Sequence, residues 1–481
     1  MANLLTFMLP IFSITKMYLG LCFYFVTLIA VFLPILFFTL RWKHMSRKKK
    51  SQIDKLQVAF FHPYCNAGGG GEKVLWAAIQ ALQNKYPNVE FYVYTGDIEA
   101  TPGEILEKVQ KNLNVKLDKS LKFIYLNKRR FVEARMYPYF TLLGQSLGSM
   151  YLGYEALQQL IPDVFIDTTG YSFTLPIFKY LAGCKTGCYV HYPTITVEML
   201  KRVSARRETY NNRGFIARSP FLTGAKLLYY RIFAGLYSLC GSCSDISLVN
   251  STFTLEHLTS LWNRPLHLVF PPCEVDHLKS ISRDKCPEKI RILSLAQFRP
   301  EKDHHLQIQA MYELREIIPE EIFENITLVL CGSCRNIDDA NRVKDLIDFS
   351  KHLSLEKYVE FRVNVSYSDL LKEYEEAFLG IHTMIDEHFG IGVVELMAAG
   401  LITIAHRSGG PLLDIIETSE SSRLGFLAVT AEEYAHTIKY ILSLTNEEIC
   451  EIRERARASV DRFSIKKFQE EFLRAIEPLF K

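Results

Sequence analysis

Short apolar runs alternate with stretches of helical pattern along this chain, and the alternation restarts near its middle. The first set of runs lies at 56–61, 89–95, 121–126, 164–167, 185–191, 246–249 and 267–270. The second lies at 290–296, 326–331, 359–363, 378–383 and 401–405, interleaved with helical patterns over 303–317 and 338–351. Such runs belong to strands covered on both faces, the mark of parallel sheets wrapped by helices. A chain of 481 residues is too long for one ordinary core. The expected class is therefore α/β, with two doubly wound domains facing each other across a cleft. In such sheets ligands bind beyond the carboxyl ends of the strands. The domains are expected at 56–275 and 289–464, with a polar linker over 276–288. The amphipathic segment 465–481 is expected to pack back onto a domain surface.

The start of the chain is of another kind. Residues 17–40 contain no Asp, Glu, Lys or Arg, and 24 such residues can cross a hydrocarbon core, which needs roughly 20. Arg41, Lys43, Arg47, Lys48, Lys49 and Lys50 follow at once, with no small-residue cleavage site before them. This reads as a transmembrane anchor with a 41–55 basic linker behind it. The flank charge puts residues 1–16 in the lumen and the folded domains in the cytosol. Most of the basic excess sits here, so a net charge of +3 gives no basic face for nucleic acid.

Two more segments, 136–160 and 221–240, are unusually apolar, but Lys226 and Arg231 interrupt the second. Charges in the middle argue against further spans. Two readings remain open for them, a helix lying in the headgroup region or an ordinary core helix. The pairs Cys240/Cys243 and Cys331/Cys334 have the gap of a zinc half-site but lie far apart in sequence, so reduced buried thiols are expected.

The residues that carry chemistry fall at strand ends. Glu387 and Glu395 stand eight residues apart around the Gly-rich turn that holds Gly390 and Ile391, just before an apolar helical run. A helix N-terminus there offers free N–H groups to an anion, and a carboxylate in such a place suits sugar hydroxyls or developing positive charge. Gly68, Gly69, Gly70 and Gly71 follow the first strand and let the backbone approach a phosphate or sugar. Neither a Walker A loop nor a dinucleotide fingerprint fits them, because Glu72 and Val74 stand where glycines are needed. Arg299 and Lys302 follow the first strand of the second half and could clasp a diphosphate. His191 ends a strand, where it either satisfies the structure or binds a sugar hydroxyl. No Asp-x-Asp occurs, so a metal held against a diphosphate is not indicated.

Together these motifs resemble the large retaining glycosyltransferase family with two facing Rossmann-like domains (GT-B), which has a Gly-rich first loop, a basic Arg/Lys loop and a Glu-x7-Glu motif. The stretches around His62 to Lys73, His191 to Ile195, Arg299 to His304 and His382 to Glu395 are similar to its GDP-mannose-dependent α-1,2-mannosyltransferases, which extend dolichyl-diphosphate oligosaccharide for N-glycosylation. The resemblance covers residue 56 to the C-terminus. It implies that Glu395 binds the ribose, that Glu387 sits by the mannose and that His191 contacts the transferring sugar. It also implies that Arg299 and Lys302 hold the diphosphate, with Gly68 to Gly71 against donor or acceptor. Many relatives carry an Arg where this chain has Gln297, and Arg299 would stand in for it. No metal or other cofactor is expected. The implied partners are GDP-mannose, the lipid-linked acceptor, the endoplasmic reticulum membrane and other mannosyltransferases of the pathway, with no nucleic acid. Two rival readings are a relative with another donor, such as UDP-N-acetylglucosamine, and an inactive membrane scaffold of the same fold.

Overall fold

The computed structural model describes residues 24, 27, 30–50, 55–113, 115–196, 199, 219–283 and 289–481. The first sheet joins β1 (Gln57–Phe61), β2 (Glu90–Thr95), β3 (Lys122–Tyr125), β4 (Val164–Asp167), β5 (Lys185–Val190), β6 (Ile246–Val249) and β7 (Leu266–Leu268). Their order is β3-β2-β1-β4-β5-β6-β7, and every neighbouring pair is parallel. The second sheet joins β8 (Ile290–Leu295), β9 (Ile326–Gly332), β10 (Val359–Val363), β11 (Leu379–His382), β12 (Ile402–His406) and β13 (Phe426–Ala428). Its order is β10-β9-β8-β11-β12-β13, again all parallel. The two Rossmann-like domains of the sequence reading are thus present. β13 was not among the expected strands, being only three residues long.

The strands are apolar throughout because both faces are covered. In β1, Val58 and Phe60 pack with Trp76 on one side of the sheet, while Ala59 and Phe61 pack with Phe165 on the other. In β8, Ile292 and Leu293 divide in the same way between two separate cores. In both sheets the strand order reverses at one place, between β1 and β4 and between β8 and β11. Loops leaving those four strands diverge to opposite faces and open a crevice, where such folds bind ligands.

Six helices matter below. The first lobe holds α1 (Gly70–Lys85), α2 (Thr141–Gln159) and α3 (Pro220–Gly241). The second holds α4 (His304–Ile317) and α5 (Ile391–Ala398), and α6 (Ile465–Ile476) ends the chain's last crossing. Phe468, Phe472 and Ile476 of α6 are buried with Val58 and Trp76, so this helix follows the second lobe in sequence but seals the first. Its return is pinned where the Cys273 N–H donates to the Phe463 carbonyl at 2.9 Å.

Two of the expected connecting segments take helical form. At the seam expected over 276–288, Val275–Lys279 is a short helix with Val275, Leu278 and Ile281 buried against second-lobe residues such as Leu293 and Val393. Its apolar residues are spaced three apart, which buries one helical face despite a polar composition. Residues 284–288 lie outside the described part. Residues 41–50, in the basic segment expected over 41–55, continue a helix that runs over 30–50. Arg41, Arg47 and Lys48 donate to the carbonyls of Tyr180, Gln158 and Pro162. Tyr180 and Gln158 lie in the last turns of helices, whose carbonyls attract cations. Among the described residues no helix is long and apolar enough to cross a membrane. The segment 1–16 and most of 17–29 lie outside them.

Candidate active site

The second-lobe half of the site begins where β8 ends. Pro300–Lys302 makes one tight turn, and Asp303, in the left-handed region at φ 47°, caps α4 by accepting from Leu306 N at 3.3 Å. The residue directly after β11 holds this turn in place. The Thr383 hydroxyl lies 2.9 Å from the Lys302 carbonyl and 3.0 Å from that of Asp303, and Gln307 Nε2 donates to the hydroxyl at 2.8 Å. Lys302 Nζ is thereby brought to 2.5 Å from Glu387 Oε2, and His382 Nε2 donates to the same oxygen at 3.0 Å. Burial alone would raise the Glu387 carboxyl, but the Lys302 charge and the His382 bond outweigh it and hold it well below the usual carboxylate range. Burial keeps His382 neutral.

The Glu387 backbone is fixed just as firmly. Gly410 N donates to the Glu387 carbonyl at 2.7 Å, and Asp386 N donates to Ser408 Oγ at 2.7 Å. Gly409 has no room for a Cβ, which would strike the Glu387 backbone. Gly390, at φ 110°, then turns the chain into α5 with no side chain capping the helix. The Val393 and Val394 N–H groups donate to the Gly390 carbonyl, so the amides of Ile391 and Gly392 precede the first intrahelical bonds. One turn on, Glu395 faces the other lobe.

Across the crevice, α1 starts from the Gly-rich loop. Gly68 takes the positive φ of 78° that the turn requires. Gly69 N donates to Glu72 Oε2 at 2.5 Å, while Glu72 Oε1 lies 3.3 Å from His62 Nε2. His62 Nδ1 is 2.8 Å from Thr168 Oγ1, and His191 Nε2 donates to the Thr168 carbonyl at 3.0 Å. Since a carbonyl only accepts, His191 carries its proton on Nε2. Burial pushes His191 down to about 4, so the ring is neutral near pH 7. A Cβ on Gly71 would lie 3.6 Å from His191 Nε2, so the loop and this histidine share one wall.

The lobes touch at several points. Lys73 Nζ of α1 is 2.6 Å from Glu395 Oε1, and a Cβ on Gly70 would come within 2.9 Å of Ile391 Cδ1. Tyr192 stacks on His388 with ring centroids 3.8 Å apart, and Thr252 N donates to Asp414 Oδ2 at 2.9 Å. Burial pushes His388 down to about 4, so the stacked ring is neutral. Beside the Lys73–Glu395 pair lies a cavity of about 450 Å³, whose walls include Gly68, Glu274, Tyr367 and Leu370.

The structure brings together Lys302 with Glu387, Gly71 with His191, and Gly70 with Ile391. The Arg299 guanidinium lies 3.5 Å from Glu301, with its Nε enclosed and without a hydrogen-bond partner. Sequence reasoning missed Lys73, His62, Glu72, His382 and the Ser408–Gly410 shelf. The shelf left a signal in two glycines and a proline shortly after β12, and the other four lie within the stretches that carry the resemblance. Among the described residues no group of His, Cys, Asp or Glu could hold a metal ion. The members of the two Cys-x-x-Cys pairs are free thiols, and burial pushes Cys240 and Cys331 up to about 12.

Two parallel sheets meeting at their switch points, with a basic turn and a Glu-x7-Glu helix facing a glycine loop, define a glycosyltransferase of the GT-B class. Solved structures share this fold. Sucrose-phosphate synthase from Thermosynechococcus elongatus matches with a TM-score of 0.62 at 16% identity, over 89% of this chain and 99% of that one. The Anabaena HepE protein in complex with UDP and glucose matches with a TM-score of 0.61 at 16% identity, over 88% of this chain and 99% of that one.

Residues 55–262 match the family described as ALG11 mannosyltransferase N-terminus, and residues 279–476 match glycosyl transferases group 1. A GDP-Man:Man(3)GlcNAc(2)-PP-Dol alpha-1,2-mannosyltransferase from Homo sapiens is 49% identical over 92% of this chain and 90% of its own length. The protein of the same name from Dictyostelium discoideum is 45% identical over 91% and 87%. The chain belongs to this family of mannosyltransferases.

Proposed function

We propose that this chain moves mannose from GDP-mannose, in α-1,2 linkage and with retention, onto a dolichyl-diphosphate oligosaccharide. Its relatives are named for that reaction. The observation that carries the reading is Lys302 held against Glu387 and His382 at one strand end, opposite the glycine loop and His191. In the proposed mechanism Lys302 stabilises the diphosphate as the anomeric bond breaks, with Arg299 as a second cation. The helix N-terminus at Gly390 and Ile391 adds partial positive charge beside it. Glu387 stands by the mannose, where a carboxylate steadies an oxocarbenium-like centre. Neutral His191 hydrogen-bonds the transferring sugar, and Glu395 takes the ribose hydroxyls, with the nucleoside in the adjoining cavity. The departing diphosphate accepts the proton of the acceptor hydroxyl on the same face, so no protein nucleophile is needed. With Lys302 and the amides supplying the charge, we read transfer as independent of a metal.

We also propose that residues 17–40 anchor the chain in the endoplasmic reticulum membrane, with both lobes in the cytosol. The uncharged sequence there and the exposed side chains of Val31, Phe32, Leu33 and Ile35 support this. The test is transfer by purified protein from GDP-mannose to a defined dolichyl-diphosphate Man3GlcNAc2, with linkage analysis of the product. Transfer from UDP-N-acetylglucosamine instead, or from no nucleotide sugar, would overturn the reading.

A further inference from the structure

The cavity of about 450 Å³ beside the Lys73–Glu395 pair is lined by a carboxylate that the transfer chemistry does not use. Glu274 stands on the first passage between the lobes, directly before the short helix Val275–Lys279. Its neighbours Cys273 and Val275 are both buried, and the Cys273 N–H is bonded to the Phe463 carbonyl. The backbone is thus fixed on either side of Glu274, while its side chain is left half-buried in the cavity wall. Among the described residues no N–H or O–H donates to this carboxylate. Burial raises the carboxyl above its usual range, against the pull of Lys73 and His277. A carboxylate shielded from water without donors is costly, and a ligand that brings two donors offsets that cost and favours the ionised form.

We infer that Glu274 selects the donor by its base, accepting hydrogen bonds from N1–H and the 2-amino group of guanine. This rests on the reading above that GDP-mannose is the donor and that its nucleoside occupies the cavity. Guanine presents those two donors side by side, and an ionised carboxylate is a fork of acceptors that fits both. Uracil sets its one N–H between two carbonyls, which a carboxylate repels, and adenine sets an acceptor beside its amine. Hypoxanthine keeps the N–H but lacks the amine. The placement follows the connectivity of the donor. Glu395, proposed for the ribose, lines the same cavity, and the Lys73 charge acts on both Glu395 and Glu274. Glu395 is engaged by Lys73 at 2.6 Å, which leaves Glu274 as the cavity carboxylate for the base. Leu278, Leu370 and Tyr367 supply apolar wall for the ring faces, the last two from the second-lobe helix Tyr367–Glu376. The Glu274 charge acts on the Tyr367 phenol, so ring and carboxylate share one corner of the cavity.

The test is calorimetric binding of nucleoside diphosphates to the full chain in detergent. The probes are GDP, IDP, which lacks the 2-amino group, XDP, which carries a carbonyl in its place, and UDP. The parent is expected to bind GDP about 10-fold or more tighter than IDP, the worth of a hydrogen bond to a charged group, and XDP more weakly still. Glu274→Gln keeps the shape but turns one acceptor into a donor. It is expected to weaken GDP roughly 10-fold and to strengthen XDP by a similar factor, because the amide donates to the new carbonyl. A gain of XDP binding cannot come from a damaged fold. Equal binding of GDP and IDP by the parent would overturn the inference without any variant. So would an unchanged ratio of GDP to XDP affinity in Glu274→Gln, whether both stay the same or both weaken together, as a merely structural glutamate at the hinge would give. A parent that binds UDP as tightly as GDP would overturn the inference and the donor reading together. A parent that prefers GDP to UDP but fails the other comparisons would overturn the inference alone.

Discussion

Lys73 and Glu395 meet at 2.6 Å, one from each lobe, and both are largely shielded from water. One oxygen of the carboxylate proposed for the ribose is therefore engaged by a lysine of the other lobe, which would compete for it with the ribose hydroxyls. Glu395→Ala is expected to raise the KM for GDP-mannose about 10- to 100-fold, the worth of a hydrogen bond to a charged group. Lys73→Met, which removes the competitor, is expected to lower it. Steady-state kinetics decide the point. A KM raised equally by both changes would make Lys73 a donor ligand rather than a rival for Glu395.

Lys302→Ala removes the cation at the proposed leaving group. A loss of about 10²- to 10³-fold in kcat is expected, as for other groups aimed at developing charge. The same change leaves Glu387 buried with His382 alone. Because the folded Glu387 is depressed below its usual value of 4.5, its contribution to stability is full above that pH and is lost as pH falls below it. Acid unfolding of Lys302→Ala should thus begin at higher pH than in the parent. Single-turnover transfer and thermal unfolding against pH check both, and unchanged kcat would remove Lys302 from the mechanism.

His191 titrates in the unfolded chain near 6.5 but only at about 4 when folded. Between those values the unfolded state holds the extra proton, so this group makes stability fall as pH falls. The slope is about 1.4 kcal/mol per pH unit for one proton. His191→Asn should reduce the slope by up to that amount in urea unfolding between pH 6 and 5 (roughly the middle of the window). An unaltered slope would show that His191 is not held neutral.

Gly70 faces Ile391 across the crevice so closely that a methyl group would come within 2.9 Å of a side-chain end. An isoleucine tip can turn aside, so Gly70→Ala should be mild. Gly70→Val should hold the lobes apart and cut transfer at least 10-fold, a misplacement effect. Ile391→Ala in the same chain should restore part of it. A double-mutant cycle in kcat/KM measures the coupling, and strictly additive losses would refute the contact.

Phe472 of α6 is fully buried against the first sheet. Phe472→Ala should cost about 3–5 kcal/mol. The loss should appear first in the first lobe, although the residue follows the second in sequence. Hydrogen exchange resolved by segment tests this, and protection lost only in the second lobe would contradict it.

Much of the fold was legible in the sequence because its strands are buried on both faces, so runs such as 246–249 and 359–363 stand out as unbroken apolar stretches. Glu387 and Lys302 were legible because each follows such a run. β13 is too short to show, and the buried helix at Val275–Lys279 is masked by its polar residues. The role of Lys73 could not be read locally, since its partner lies 322 positions away. Pairings made by closing two lobes leave no local trace. His382 was hidden for a different reason, because a histidine ending a strand does not announce which carboxylate it will meet.

The chain passes between its lobes twice, and the passages lie side by side where Cys273 meets Phe463 and Ser464. Two neighbouring pivots act as a door on two hinges. The lobes can swing open about the line joining the pivots, while sliding or twisting would tear the bond between them. A swing about that line would bring Lys302 and the glycine loop back to the same registration, without any fresh search for alignment.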